Sequence, residues 1–176
     1  MNKVNLPLTV GETGLEEART VSHSQQTLTH VTTPLDANLT GNVFGGVILA
    51  AVDRVAGVSA ARHSGGPCVT ASFDQVDFRS PISIGEIVTL AASVNYVGRT
   101  SMEVGVRVTA EGVLDDQPRH TNSCYVTMVA IDDAGRPRPV PKLILEDATQ
   151  YRRYIDASAR RGARRSLAEA RRQRDS

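Results

Sequence analysis

A change of hydrophobic period at Pro67 restricts the fold more than any other feature of the chain. Upstream, Gly46 to about Ala61 reads GVILAAVDRVAGVSAA, in which Ile48, Val52, Val55, Ala56 and Ser59 return to one face at helical spacing. His63-Ser64-Gly65-Gly66-Pro67 stops this helix. Downstream the period is two: Val69, Ala71 and Phe73 alternate with their neighbours, as do Val88, Leu90, Ala92, Val94 and Tyr96, and then Met102, Val104, Val106 and Val108. Gly98-Arg99-Thr100-Ser101 is short enough for a hairpin turn, so the last two runs should pair antiparallel. A final strand is expected from about Asn122 to Ile131, closed by the turn Asp132-Asp133-Ala134-Gly135, and a first one at Ser24 to Val31. One apolar helix with four or five long antiparallel strands implies an α+β domain whose curved sheet wraps the helix on one face. Such a sheet has free edges, which pairing with a second copy would cover, so a homodimer is expected.

The length, 176 residues, suits one domain with tails. With 40% apolar residues, 4% aromatics and no Trp, the core should be aliphatic. The N-terminal sequence lacks the apolar stretch of a secretory signal and the Arg-rich character of a transit peptide, and no segment is long enough to span a bilayer. Cys68 and Cys124 have neither CxxC spacing nor a nearby histidine pair, so reduced thiols in a cytoplasmic protein are expected, without a metal site. Residues 1–22 are polar and show no sustained period, which reads as a flexible arm ahead of a domain over 23–143. From Tyr151 onward nine Arg face only Asp156, Glu169 and Asp175, so a net charge of +1 for the chain conceals +6 in the tail and −5 elsewhere. The basic, largely helical tail over 144–176 reads as a solvated, frayed helix, or as an attractor of nucleic acid, an anionic membrane or ligand phosphates. No aromatic interleaving, helix-turn-helix or RNP-like motif accompanies the arginines, and nucleic acid is not an expected partner.

No GxSxG elbow, GK[ST] phosphate loop, HExxH or GxGxxG motif is present, and the four histidines are far apart. What stands out is DANLTGNVFGGVILAAVD, residues 36–53, in which an apolar helix carries a carboxylate at Asp53. One reading is an ordinary acid at the wet edge of a helix, beside the equally polar Arg54. The other is chemical. A helix starting near Gly46 presents unpaired N–H groups and a partial positive charge, able to hold a carbonyl oxygen as negative charge grows on it. A carboxylate in a mostly apolar setting could activate water or attack that carbonyl. On one helix, however, Gly46 and Asp53 stand about 10 Å apart. A single site would therefore need the N-terminus of one helix to face the middle of another across a twofold axis.

The segment DANLTGNVFGGVILAAVDRVAGVSAARH, followed by VTASFDQVDFRSPISIGEIV, NYVGRTSMEV and VAIDDAGRPRPVPKL, resembles the hot-dog-fold acyl-CoA thioester hydrolases of the cytosolic brain type and the bacterial YciA type. The resemblance runs from about Leu28 to Leu143. It implies a hot-dog fold, a long helix wrapped by five or six strands, dimerising into a continuous sheet and commonly assembling as trimers of dimers. It also implies hydrolysis of fatty acyl-CoA to fatty acid and CoA, with no metal and no cofactor beyond the CoA of the substrate. By the same resemblance Asn42 and Asp53 are the active pair, contributed by different subunits, with Gly46 N–H helping to polarise the thioester carbonyl. Gly98, Arg99, Thr100 and Ser101 match the family's CoA-contacting hairpin, and the permanent charge and forked donors of Arg99 suit a phosphate. A non-catalytic acyl-CoA-binding module is the rival, although binding alone would need neither Asn42 nor Asp53.

Overall fold

The computed structural model describes residues 5–12, 15–115 and 117–174. Wherever the sequence alternates, the chain is extended: β4 (Cys68–Phe73), β5 (Ile87–Val97), β6 (Ser101–Glu111) and β7 (Arg119–Ala130) join β3 (Gln26–Val31) in one antiparallel sheet of order β3-β5-β6-β7-β4. The register brings side chains of like character into rows, so that Val94, Val104 and Val126 lie side by side on the inner face and are fully buried. Across that face lies α2 (Gly45–Ser64), which buries Ile48, Val52, Val55, Ala56 and Ser59, the residues its period placed together, with Ala51, Ala60 and His63. Each large aliphatic side chain removed from water in this way contributes about 1.5–3 kcal/mol. The helix stops at Gly65, whose φ of 73° would strain any side chain, and the Arg19 guanidinium donates to the terminal carbonyls of Arg62 and His63 at 2.7 and 3.1 Å.

His63 is wholly buried, and its Nε2–H donates to the Pro141 carbonyl at 3.2 Å while Nδ1 has no partner among the described residues. Burial pushes its pKa down from 6.5 to about 4. A lowered histidine pKa means that the unfolded chain takes up the proton first, so the stability it supports is complete above pH 6.5 and is lost as pH falls to 4. The shift corresponds to about 3 kcal/mol. Urea unfolding of the wild type should show that loss between pH 6.5 and 4, and His63→Leu should flatten the profile over the same interval.

Two segments differ from the sequence reading. Residues taken for a flexible arm include β1 (Leu8–Val10) and β2 (Ala18–Thr20), which flank β8 (Lys142–Leu145) in a second, three-stranded sheet, antiparallel and parallel respectively. Three-residue strands are too short to show a period, and their partner lies far along the chain at the start of the supposed tail. A single turn, α1 (Val21–Ser24), follows. The tail itself is not frayed: α3 (Ala148–Arg172) is capped by Asp147, which accepts from Gln150 N at 2.8 Å, and packs on the outer face of the large sheet. There Tyr154 stacks on Tyr96 with centroids 5.2 Å apart, and Ala157 is fully buried. Arg160 lies over the Tyr125 ring, and with Arg164 it binds Glu103, which is only 2% exposed. Only from Arg165 onward is every described residue exposed. No described helix is long and apolar enough to cross a membrane.

Candidate active site

Asp53 projects from the middle of α2 beside β4, exposed like Arg54, and its Oδ1 accepts a hydrogen bond from Thr70 Oγ1 at 2.5 Å. Thr70 is the third residue of β4, the last strand of the sheet, whose free side has no strand partner among the described residues. The strand is open to solvent, with Val69 46% and Phe73 38% exposed. The acid therefore stands at a bare sheet edge, oriented by a hydroxyl. Thr70 escaped the sequence reading because an alternating strand gives no reason to single out one polar position.

The other half of the site is built by the turn before α2. Asn38 Oδ1 accepts from Thr40 N, Thr40 Oγ1 and Asn42 N at 2.9, 2.8 and 3.2 Å, and Asn38 N donates to Asn42 O at 2.7 Å. With its carbonyl end engaged by its own turn, Asn38 is left with a free amide, for Nδ2 has no partner among the described residues. The Asn42 backbone ties the turn to Ser83, while its side chain makes no hydrogen bond among the described residues. Phe44 provides the N-terminal flank of α2 without a side-chain cap, so the helix begins with donors uncovered by any side-chain acceptor. Both glycines are packed by rings: a Cβ on Gly46 would collide with the Phe44 ring, and one on Gly45 would sit 3.3 Å from Phe78. A cavity of about 400 Å³ opens here, lined by Asn38, Asn42, Val43, Gly45, Ile48 and the segment 78–82. Its size and mixed lining suit an elongated, mainly apolar ligand with one polar end.

Asn42 and Gly46 thus share one end of α2, while Asp53 lies two turns along it, and no hydrogen bond among the described residues joins them. The turn at Gly98-Arg99-Thr100-Ser101 closes as expected, with Gly98 N donating to Ser101 O at 2.8 Å, and it is anchored by Val140 N to Arg99 O and Ala130 N to Thr100 O. The Arg99 side chain is exposed and unpaired among the described residues, and Arg161 of α3 lies against Gly98. The aromatic α3 packing brings this second guanidinium to the turn, a neighbour that the sequence separation of more than sixty residues hid.

A long helix held in a curled five-stranded antiparallel sheet is the hot-dog architecture. Residues 40–115 match the family model described as the thioesterase superfamily. The chain is 36% identical over 146 residues to the cytosolic acyl coenzyme A thioester hydrolase of Mus musculus, covering 82% of this chain and 38% of that protein. It is 38% identical to a crystal structure of an apo-hexameric acyl-CoA thioesterase, with a TM-score of 0.83, covering 86% of this chain and 97% of the other. An acyl-CoA hydrolase from Staphylococcus aureus, solved with butyryl coenzyme A, coenzyme A and coenzyme A disulfide, is 34% identical with a TM-score of 0.83, over 89% of this chain and 95% of that one. That hydrolase has also been solved as alanine variants at an Asn, at an Asp fifteen positions further on, and at a Thr seventeen beyond the Asp. The chain belongs to the thioesterase superfamily.

Proposed function

We propose that the protein is an acyl-CoA thioester hydrolase whose active sites form between two copies of the chain. The observation that carries this reading is the division of the chemistry: an acid oriented by Thr70 at a bare sheet edge, and unpaired donors with an apolar cavity at the other end of the same helix. Pairing β4 with β4 of a second copy would extend the sheet across the dimer and bring each Asp53 toward the other copy's cavity. The donors at the start of α2, around Gly46, then receive the thioester carbonyl. Asp53 of the facing subunit takes a proton from water as that water attacks, the tetrahedral oxyanion is held by the same donors, and its collapse expels the CoA thiolate. The substrate's own CoA is the only coenzyme this scheme uses.

The intervals fifteen and seventeen that separate the three altered positions in the S. aureus hydrolase separate Asn38, Asp53 and Thr70 here. That spacing, with the saturated Oδ1 and free Nδ2 of Asn38, makes Asn38 the stronger candidate for the side-chain donor on the carbonyl. Asn42 is then left to shape the turn and the cavity mouth. Asn38→Ala should lower kcat for thiol release by about 10²-fold, the scale of one lost oxyanion donor, with Asn42→Ala affecting it less than tenfold. The reverse order would return the role to Asn42.

Gly98, Arg99, Thr100 and Ser101 are proposed to follow the CoA moiety, Arg99 meeting a phosphate. The assembly is proposed as a trimer of dimers, in keeping with the hexameric relative, and the location as cytoplasmic, in keeping with the cytosolic one. Nucleic acid is not a proposed partner, because Arg160, Arg161 and Arg164 are held by Glu103, Glu12 and Asp74 within the chain.

A further inference from the structure

On the outer face of the large sheet, opposite α2 and Asp53, strands β5 to β7 and the first half of α3 enclose a bowl of about 190 Å³. Its floor is polar. Ser93 and Asn95 are 7% and 5% exposed, and Asn95 Oδ1 accepts from Ser93 Oγ at 3.4 Å. The Asn95 amide lies directly over Gly105, where any Cβ would collide with Nδ2, and that Nδ2 has no hydrogen-bond partner among the described residues. That N–H is therefore available to an acceptor entering the bowl.

The rim is predominantly basic, with Asp156 as the one acid among its described lining residues. Four guanidinium groups line it: Arg160 is committed to Glu103, and Arg152 is held loosely by Asp156 at 3.4 Å. Arg107 from β6 and Arg153 from α3 have no acidic partner among the described residues, and both also border an adjoining hollow of about 220 Å³. Two unpaired guanidiniums drawn to one concavity repel each other, and low-dielectric walls concentrate the resulting positive potential. Asp156 is engaged by Arg152, and the groups left without a partner are donors: the guanidinium forks of Arg107 and Arg153 and the Asn95 amide N–H. This set matches an acceptor-rich dianion, and forked donors favour the oxygens of a phosphate over a spherical anion. The volume lies below the roughly 300 Å³ that a drug-sized ligand needs, so a single phosphoryl group and the end of whatever carries it would fill the bowl.

We propose that this bowl is a phosphoryl-binding site, formed by Arg107, Arg153 and the Asn95 amide and separated by the sheet from the acyl site. Free phosphate or a phosphomonoester could supply the group, as could the 3′-phosphate of a CoA molecule held elsewhere in the assembly. The inference stands on the sheet's outer face and does not depend on the hydrolase reading.

The test is calorimetric titration of the full chain, at constant ionic strength, with inorganic phosphate, with CoA and with dephospho-CoA, which lacks the 3′-phosphate. Wild type is compared with Arg107→Gln/Arg153→Gln, a surface pair whose replacement leaves the core intact, and with Asn95→Ala. Inorganic phosphate should bind the wild type and bind the double variant at least tenfold more weakly, with thiol release in phosphate-free buffer unchanged. A preference for CoA over dephospho-CoA that disappears in the double variant would also support the site and would assign its phosphate to CoA. If phosphate binding and the CoA preference are the same in wild type and double variant, or if the wild type shows neither, the proposal fails.

Discussion

Asp53→Asn is expected to lower kcat for thiol release about 10³-fold while leaving affinity for CoA within about twofold of the wild type. The substitution keeps the size of the side chain and retains an oxygen able to accept from Thr70 Oγ1, so the local hydrogen bond survives while the proton acceptor is lost. A loss confined to kcat identifies a group acting in the transition state. If the variant instead retained full activity, Asp53 would be an ordinary exposed acid, and the proposed chemistry would be wrong. Mixing Asp53→Asn subunits with Asn38→Ala subunits extends the test to the assembly. A heterodimer sharing sites across the twofold axis regains one intact site, and so should recover a substantial part of wild-type turnover, whereas sites confined to one chain would leave the mixture inactive.

The second large effect concerns stability. Replacing Arg160 and Arg164 together by Met removes both cations from Glu103 and leaves a carboxylate that is 2% exposed without a counter-charge. Stranding a buried charge in this way costs about 3–5 kcal/mol. Urea unfolding at fixed protein concentration should show a loss of that order, and adding Glu103→Met should recover the part due to Glu103, leaving the smaller cost of Asp74, 16% exposed, without Arg164. If the double variant unfolds with an unchanged midpoint, the Glu103 cluster does not contribute to holding α3.

The central layer of the fold was legible because it is periodic. Ile48, Val52, Val55, Ala56 and Ser59 are buried as their spacing required, and the alternating runs are β4, β5 and β6. What escaped was non-periodic or depended on a distant partner. Leu8–Val10 and Ala18–Thr20 become strands only because Lys142–Leu145 lies between them. The Arg-rich tail looked solvated because Glu103, one acid in an alternating strand, gave no sign that it would be buried beneath two arginines. In the candidate site Asp53 was conspicuous as a charge on an apolar helix. Asn38, in the same turn as Asn42, was not singled out, because its distinguishing feature is an amide oxygen engaged by its own turn, which the sequence does not display.

The small sheet also fixes an order of events. Leu8 pairs with Leu145, so the N-terminal strand has no partner until most of the chain has been synthesised. Loop closure over such a separation is slow compared with forming the hairpin of β5 and β6, whose strands are joined by a few residues. The central hairpins are expected to assemble first and the two ends to be tied together last. Residues that leave the ribosome long before their partner strand are therefore some of the last to be placed.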